Sequence, residues 1–159
     1  MADTIAFPSE LFPAYPALAI DLPEGWSPIA VPETVLAGGA PVEADAFRAN
    51  VCVSVLRTPG ARTLEEAVAA VLGRLDGAPG YAELARRNEP VLDLPGFALE
   101  ASFDSAEAGA LVQSLRIAVV PHAYFSDTVV AVAPGDGASA EALLPQLRTA
   151  LGSLALQQG

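Results

Sequence analysis

The chain has no lysine, one cysteine, one histidine and one tryptophan among its 159 residues. Each scarcity closes a class of function. All eight basic residues are arginine against nineteen acids, a formal net charge of −11, and the missing lysine reads as genome composition bias. Such a balance excludes a nucleic-acid surface, which needs clustered cations against phosphate. It also disfavours docking on anionic lipid surfaces. A lone Cys52 cannot form an internal disulfide, and a thiol-only metal site is excluded. It stands inside Val51-Cys52-Val53 and reads as a buried, inert thiol. His122 follows Pro121 between two strand-like runs, where a turn-packed imidazole is expected. Metal binding normally recruits several His or Cys residues. A hydrolytic triad would need a Ser and a carboxylate brought to His122 from elsewhere, and no Gly-x-Ser-x-Gly is present. No apolar run approaches about 18 residues, so no membrane-spanning helix is expected. The first residues lack the basic and apolar regions of a signal peptide, which makes the cytoplasm the expected compartment.

The carboxylates show no better pattern. Glu65, Glu66 and Glu141 belong to helix starts, and Asp93, Asp104 and Asp136 are too scattered for a calcium loop. Gly38-Gly39-Ala40-Pro41 is expected to be a loop but lacks the Lys and Ser or Thr of a phosphate-binding one. The expectation is a protein with no catalytic residue, no metal and no cofactor.

What is present is apolar patterning. Hydrophobic residues make up 52% of the chain, enough for one folded domain and against disorder. Ala110–Ala133 reads as two long strands joined by a short connection, rich in Val and Ile. Leu111, Leu115, Ile117 and Val119 share one face; Ser114 and Arg116 fall on the other with Val112, Ala118 and Val120. A sheet apolar on both faces is covered at least partly on both. Pro121, lacking an N–H, belongs at a strand end.

Further strands are expected over Tyr15–Leu22, Asn50–Arg57 and Phe97–Phe103. Short edge pieces fit Ser27–Val31 and Glu33–Ala37, and Tyr81–Val91 reads as a solvated outer strand. In the Asn50–Arg57 run, Val51, Val53, Val55 and Arg57 alternate against Cys52, Ser54 and Leu56. Thr63-Leu-Glu-Glu66 is a capping box, and Leu64, Val68, Val71, Leu72 and Leu75 form one helical stripe that ends at Gly77. Pro134-Gly-Asp-Gly137 reads as a break. A second helix follows over Ser139–Leu154, bent or divided at Pro145, with the residues from Leu154 onward frayed. The fold class is therefore α+β: an antiparallel β-sheet with amphipathic helices packed on it. Residues 1–14 form an arm whose Phe7, Leu11 and Phe12 pack on the domain of residues 15–155 or on a second subunit, so a homodimer is among the expectations. Trp26, Tyr81, Tyr124 and Phe125 all fall near turns or strand ends. They either seal the ends of the core or, exposed together, form a partner surface.

Four stretches carry a family likeness: Leu18-Ala-Ile-Asp-Leu-Pro-Glu-Gly-Trp26, Phe47-Arg-Ala-Asn-Val-Cys-Val-Ser54, Thr63-Leu-Glu-Glu66 and Leu94-Pro-Gly-Phe97. Together they resemble the LpqN-like actinobacterial proteins of the wider Mog1/PsbP-like superfamily, over residues 15 to 155. The resemblance implies an α/β/α sandwich around an antiparallel sheet. It also implies a non-enzymatic binding or adaptor module acting on a protein partner. The alternative is a chaperone or carrier holding an apolar segment or small ligand in a groove on the sheet. The chain departs from a lipoprotein in having no lipobox cysteine, so envelope anchoring is not expected.

Overall fold

A computed structural model describes residues 2–43 and 47–157; Met1 of the arm and residues 44–46 of the domain lie outside the described residues. The chain runs β1 (Leu18–Ala19), β2 (Ser27–Pro28), β3 (Leu36–Gly39), β4 (Asn50–Pro59), α1 (Leu64–Leu75), β5 (Ala82–Asn88), β6 (Gly96–Ser105), β7 (Gly109–Pro121), β8 (Phe125–Asp136), α2 (Ala140–Gly152) and β9 (Ala155–Leu156). Strands β2-β3-β4-β8-β7-β6-β5 pair antiparallel in that order, and β1 pairs with β9 separately. The architecture is the expected α+β, with one helix on each face of an antiparallel sheet.

The β7–β8 hairpin is the centre of this sheet, with Leu115 opposite Val132 and Ile117 opposite Val130. Pro121 ends β7, as a residue without an N–H should. Leu115, Ile117, Phe97 and Leu99 face α1 with its stripe of Leu64, Val68, Val71 and Leu72. Thr63 Oγ1 accepts the Glu66 amide at 3.1 Å, as the capping signal requires. On the opposite face Val51, Val53, Val129, Ala131 and Ala118 pack under Leu147 and Leu151 of α2. Leu18, Ile20, Leu22 and Trp26 complete that cover.

Several expectations need correcting. The first strand shrinks to Leu18–Ala19, because its partner is the two-residue β9 at the far end of the chain. That pairing also holds the C-terminal segment: Leu154 is buried, and the Gln157 amide donates to the Ala17 carbonyl at 2.7 Å instead of fraying. Gly38 and Gly39 are strand residues of β3, not a loop. They are glycine because neighbours occupy the space of a side chain: Leu22 lies over Gly38, and a Cβ on Gly39 would sit 2.8 Å from Arg48 Nε. Strand β8 runs through Pro134 to Asp136. Its pairing with β4 stops at Val132, so beyond that point the proline leaves no β4 partner unmet. Leu143 of α2 lies over Gly135. A 3-10 turn, Gly137–Ser139, precedes α2, and the helix then continues through Pro145.

Arg116 is the largest departure. Alternation put it on the polar face, yet it is 4% exposed. Its Nε lies 3.1 Å from Glu89, and Nη1 donates to Ser114 Oγ and the Leu115 carbonyl, each at 3.0 Å. Burial pushes its guanidinium pKa down, which the nearby Glu89 opposes. Beside it, Glu100 is held by two 2.6 Å bonds from Arg148 of α2. That bidentate bond keeps the Glu100 carboxyl below its ordinary value despite burial. Ion pairs thus close the sheet where α2 runs out of apolar contacts.

Candidate functional site

At the closed end of the β7–β8 hairpin, β4 and β8 place Arg57 directly opposite Asp127. The two form a bidentate pair, Nε to Oδ1 and Nη2 to Oδ2, both 2.7 Å. Asp127 is fully buried, so the charge needs such a partner. His122, in the connection, brings Nε2 to 2.7 Å from Asp127 Oδ2. Burial raises the Asp127 pKa, but the bonds from Arg57 and His122 outweigh it and the net shift is downward. The carboxylate is therefore the acceptor and His122 Nε2 the donor.

The N-terminal arm is tied to the same arginine. Arg57 Nη1 donates to the Pro13 carbonyl at 2.7 Å and Nη2 to that of Ala14 at 3.4 Å. Its guanidinium lies 4.3 Å from the Tyr15 ring centre and 5.5 Å from that of Phe125. Phe12 meets Phe125 at 6.3 Å and Phe7 meets Tyr15 at 5.8 Å. The arm thus packs on its own domain. It leaves Ile5, Phe7, Leu11, Tyr15 and Tyr124 between 48% and 79% exposed. Five of the ten large apolar side chains exposed among the described residues come from the arm, from Tyr15 next to it or from the hairpin connection beside Phe125, so exposed apolar surface is concentrated in these adjoining segments as one patch.

The four aromatics singled out in the sequence separate. Tyr124 and Phe125 belong to this patch. Trp26 packs partly buried on the core under α2, beside β2 at one sheet edge. Tyr81 precedes β5 at the opposite edge, its phenol pKa raised by burial and then by Glu83 and Asp76. Sequence reasoning missed Arg57 and Asp127. The available signal was Arg57 itself, which ends an alternation of buried valines and so implies a counter-ion.

Among the described residues no hydroxyl or thiol is hydrogen-bonded to His122. Neighbouring Ser126 points to the other face of β8, where Oγ donates to the Gly60 carbonyl at 2.7 Å and accepts the Arg62 amide at 3.0 Å. Among the described residues no group of three or more His, Cys, Asp or Glu side chains could hold a metal ion. No described helix is long and apolar enough to cross a membrane.

A second feature lies on the α1 face. The helix sits mainly on β6 and β7, leaving β4 and the Val130–Val132 stretch of β8 only partly covered beside it. The result is a groove of about 560 Å³ with Cys52, Leu56, Val130 and Val132 in its floor and Ala70 and Val71 in its wall. That volume falls in the range of small-molecule sites. Burial raises the Cys52 thiol pKa, so it is a poor nucleophile at neutral pH.

No family model matches the sequence, and no curated protein matches it. Solved structures do match its shape. LpqN of Mycobacterium tuberculosis, involved in cell envelope biogenesis, superposes with a TM-score of 0.77 at 10% identity, over 92% of this chain and 86% of its own. The protein of unknown function PA94 from Pseudomonas aeruginosa gives 0.63 at 13% identity, covering 90% of this chain and 99% of its own. The cyanobacterial PsbP of Synechocystis gives 0.57 at 11% identity, covering 98% of each. At such identities the likeness establishes the fold, which is the LpqN-like, Mog1/PsbP-like one.

Proposed function

We propose that this chain, built on the fold shared by LpqN and PsbP, is a non-catalytic binding module that engages a protein partner through the arm and hairpin end. One observation carries this reading: the exposed apolar cluster of Ile5, Phe7, Leu11, Tyr15 and Tyr124. The Arg57–Asp127 ion pair beside it fixes the arm's backbone through the Pro13 carbonyl. Rigid aromatics around an arginine have the composition of an interface centre. Tyr124→Asp and Ile5→Asp test it, with Leu84→Asp on the exposed edge strand β5 as control. Partner retention in a pull-down from the native host should fall at least about tenfold in the first two and hold in the control. Equal retention by all three variants removes the reading. Sedimentation of the pure protein reports whether that partner is a second copy.

The partly open half of the α1 face favours a second reading, a carrier for an apolar segment or small ligand. A polarity-sensitive dye that fails to bind the native protein would count against it.

A further inference from the structure

The groove beside α1 carries a charge pattern that differs from the rest of the molecule. Among the described residues, Arg57, Arg86, Arg87, Arg116 and Arg148 are each ion-paired with a carboxylate. Arg48 gives its Nε to the Ala40 carbonyl at 2.7 Å. The two arginines that remain, Arg62 and Arg74, both line the groove. Arg62 bonds the Thr128 hydroxyl at 3.3 Å, while Arg74 makes no side-chain hydrogen bond among the described residues. Glu33 is the acidic residue on the lining. In a chain with more than twice as many acids as bases, cations left without carboxylates beside an apolar floor are an unusual placement.

Arg62 precedes α1 and Arg74 lies in its last turn, so they mark opposite ends of the helix, about 18 Å apart. One cation at an end of an apolar trough suits one anionic head, with a chain laid along the floor. The planar fork of a guanidinium holds a carboxylate or a phosphate in two parallel bonds, but one cation balances the single charge of a carboxylate and not the roughly −2 of a phosphate monoester. We propose that the groove binds a long-chain carboxylate, its head on Arg74 and its chain against Leu56, Val130 and Val132. This rests on the carrier reading of the groove and narrows it to a ligand class.

The test is a fluorescence titration of the full chain with dansyl-undecanoic acid, displaced by decanoate or by decanol. Decanoate should displace the probe at least about tenfold better than decanol. Arg74→Gln should weaken decanoate about tenfold and leave decanol unchanged. Ala70→Trp, which fills the groove from the helix side, should weaken both. Circular dichroism of each variant shows that it is folded. If decanoate and decanol bind the native chain equally, the carboxylate assignment is overturned and the carrier reading survives. If neither binds, both are overturned. Decanoate binding unchanged in both variants, or an apolar peptide displacing the probe better than decanoate, also overturns the assignment.

Discussion

The two faces of the central sheet differ in how completely they are covered. Under α2, Val51, Val53, Val129 and Ala131 are at most 1% exposed, and Leu18, Ile20, Leu22 and Trp26 cover what the helix does not reach. Beside α1, Val130 and Val132 are only partly buried and Leu56 is 49% exposed. Both sets are β-branched or aliphatic residues of the same strands, so residue type does not explain the contrast. The cause is placement: α1 lies mainly on β6 and β7, and its cover over β4 and the Val130–Val132 stretch of β8 is incomplete. Buried apolar contacts are concentrated on the closed face, and exposed apolar surface is left on the open face and at the hairpin end.

The largest expected effect comes from opening the closed face. Leu147 is fully buried between α2 and the sheet, and Leu147→Ala should cost about 3–4 kcal/mol in urea unfolding. A loss near 1 kcal/mol would mean that the two faces are less different than their exposures indicate.

Asp127→Asn comes next, at about 3 kcal/mol, since it leaves Arg57 without its counter-ion. The folded Asp127 pKa is lowered, so its contribution is complete above the unfolded value near 4 and disappears as pH falls through the folded value. The gap between native chain and variant should therefore be wide at pH 7 and close in acid. A gap that stays constant down to about pH 2 would mean that the carboxylate charge is not what holds the arm.

Glu100→Gln should lose only about 1 kcal/mol. Its partner Arg148 has a 46% exposed side chain, so solvent screens the pair. Its pKa is also lowered, chiefly by the Arg148 bond, and the sign of the pH dependence is the same. A loss equal to that of Asp127→Asn would show the α2 ion pairs to be as tightly held as the arm's.

Much of this contrast was legible in the residues and some was not. Local signals succeeded where they agreed: the Thr63 cap with its stripe, the alternation of β4, and Pro121 at a strand end. They failed where a distant residue decided the outcome. Gly38 and Gly39 are strand because Leu22 and Arg48 lie over them. Pro134 is tolerated because β4 has already left β8. Arg116 is buried because Glu89 meets it. Of the candidate site, the aromatics Tyr124 and Phe125 could be named from turn position, but Arg57 with Asp127 could not, because that pair is 70 residues apart in sequence. Helix coverage was equally hidden: the stripe of α1 shows that it packs on a sheet, and not on which strands.

The smallest expected effect is the sharpest probe of the open face. Leu56 sits in the groove floor with half its surface already in water, so Leu56→Ser removes little burial and leaves no cavity. Stability should change by no more than about 0.5 kcal/mol, as at other exposed positions. Binding of an apolar dye to the native protein should nevertheless drop, because the apolar floor is interrupted. A stability loss of about 2 kcal/mol would mean that Leu56 is covered in solution, by a second copy or by the chain itself. The groove would then be core, and the asymmetry between the two faces would vanish.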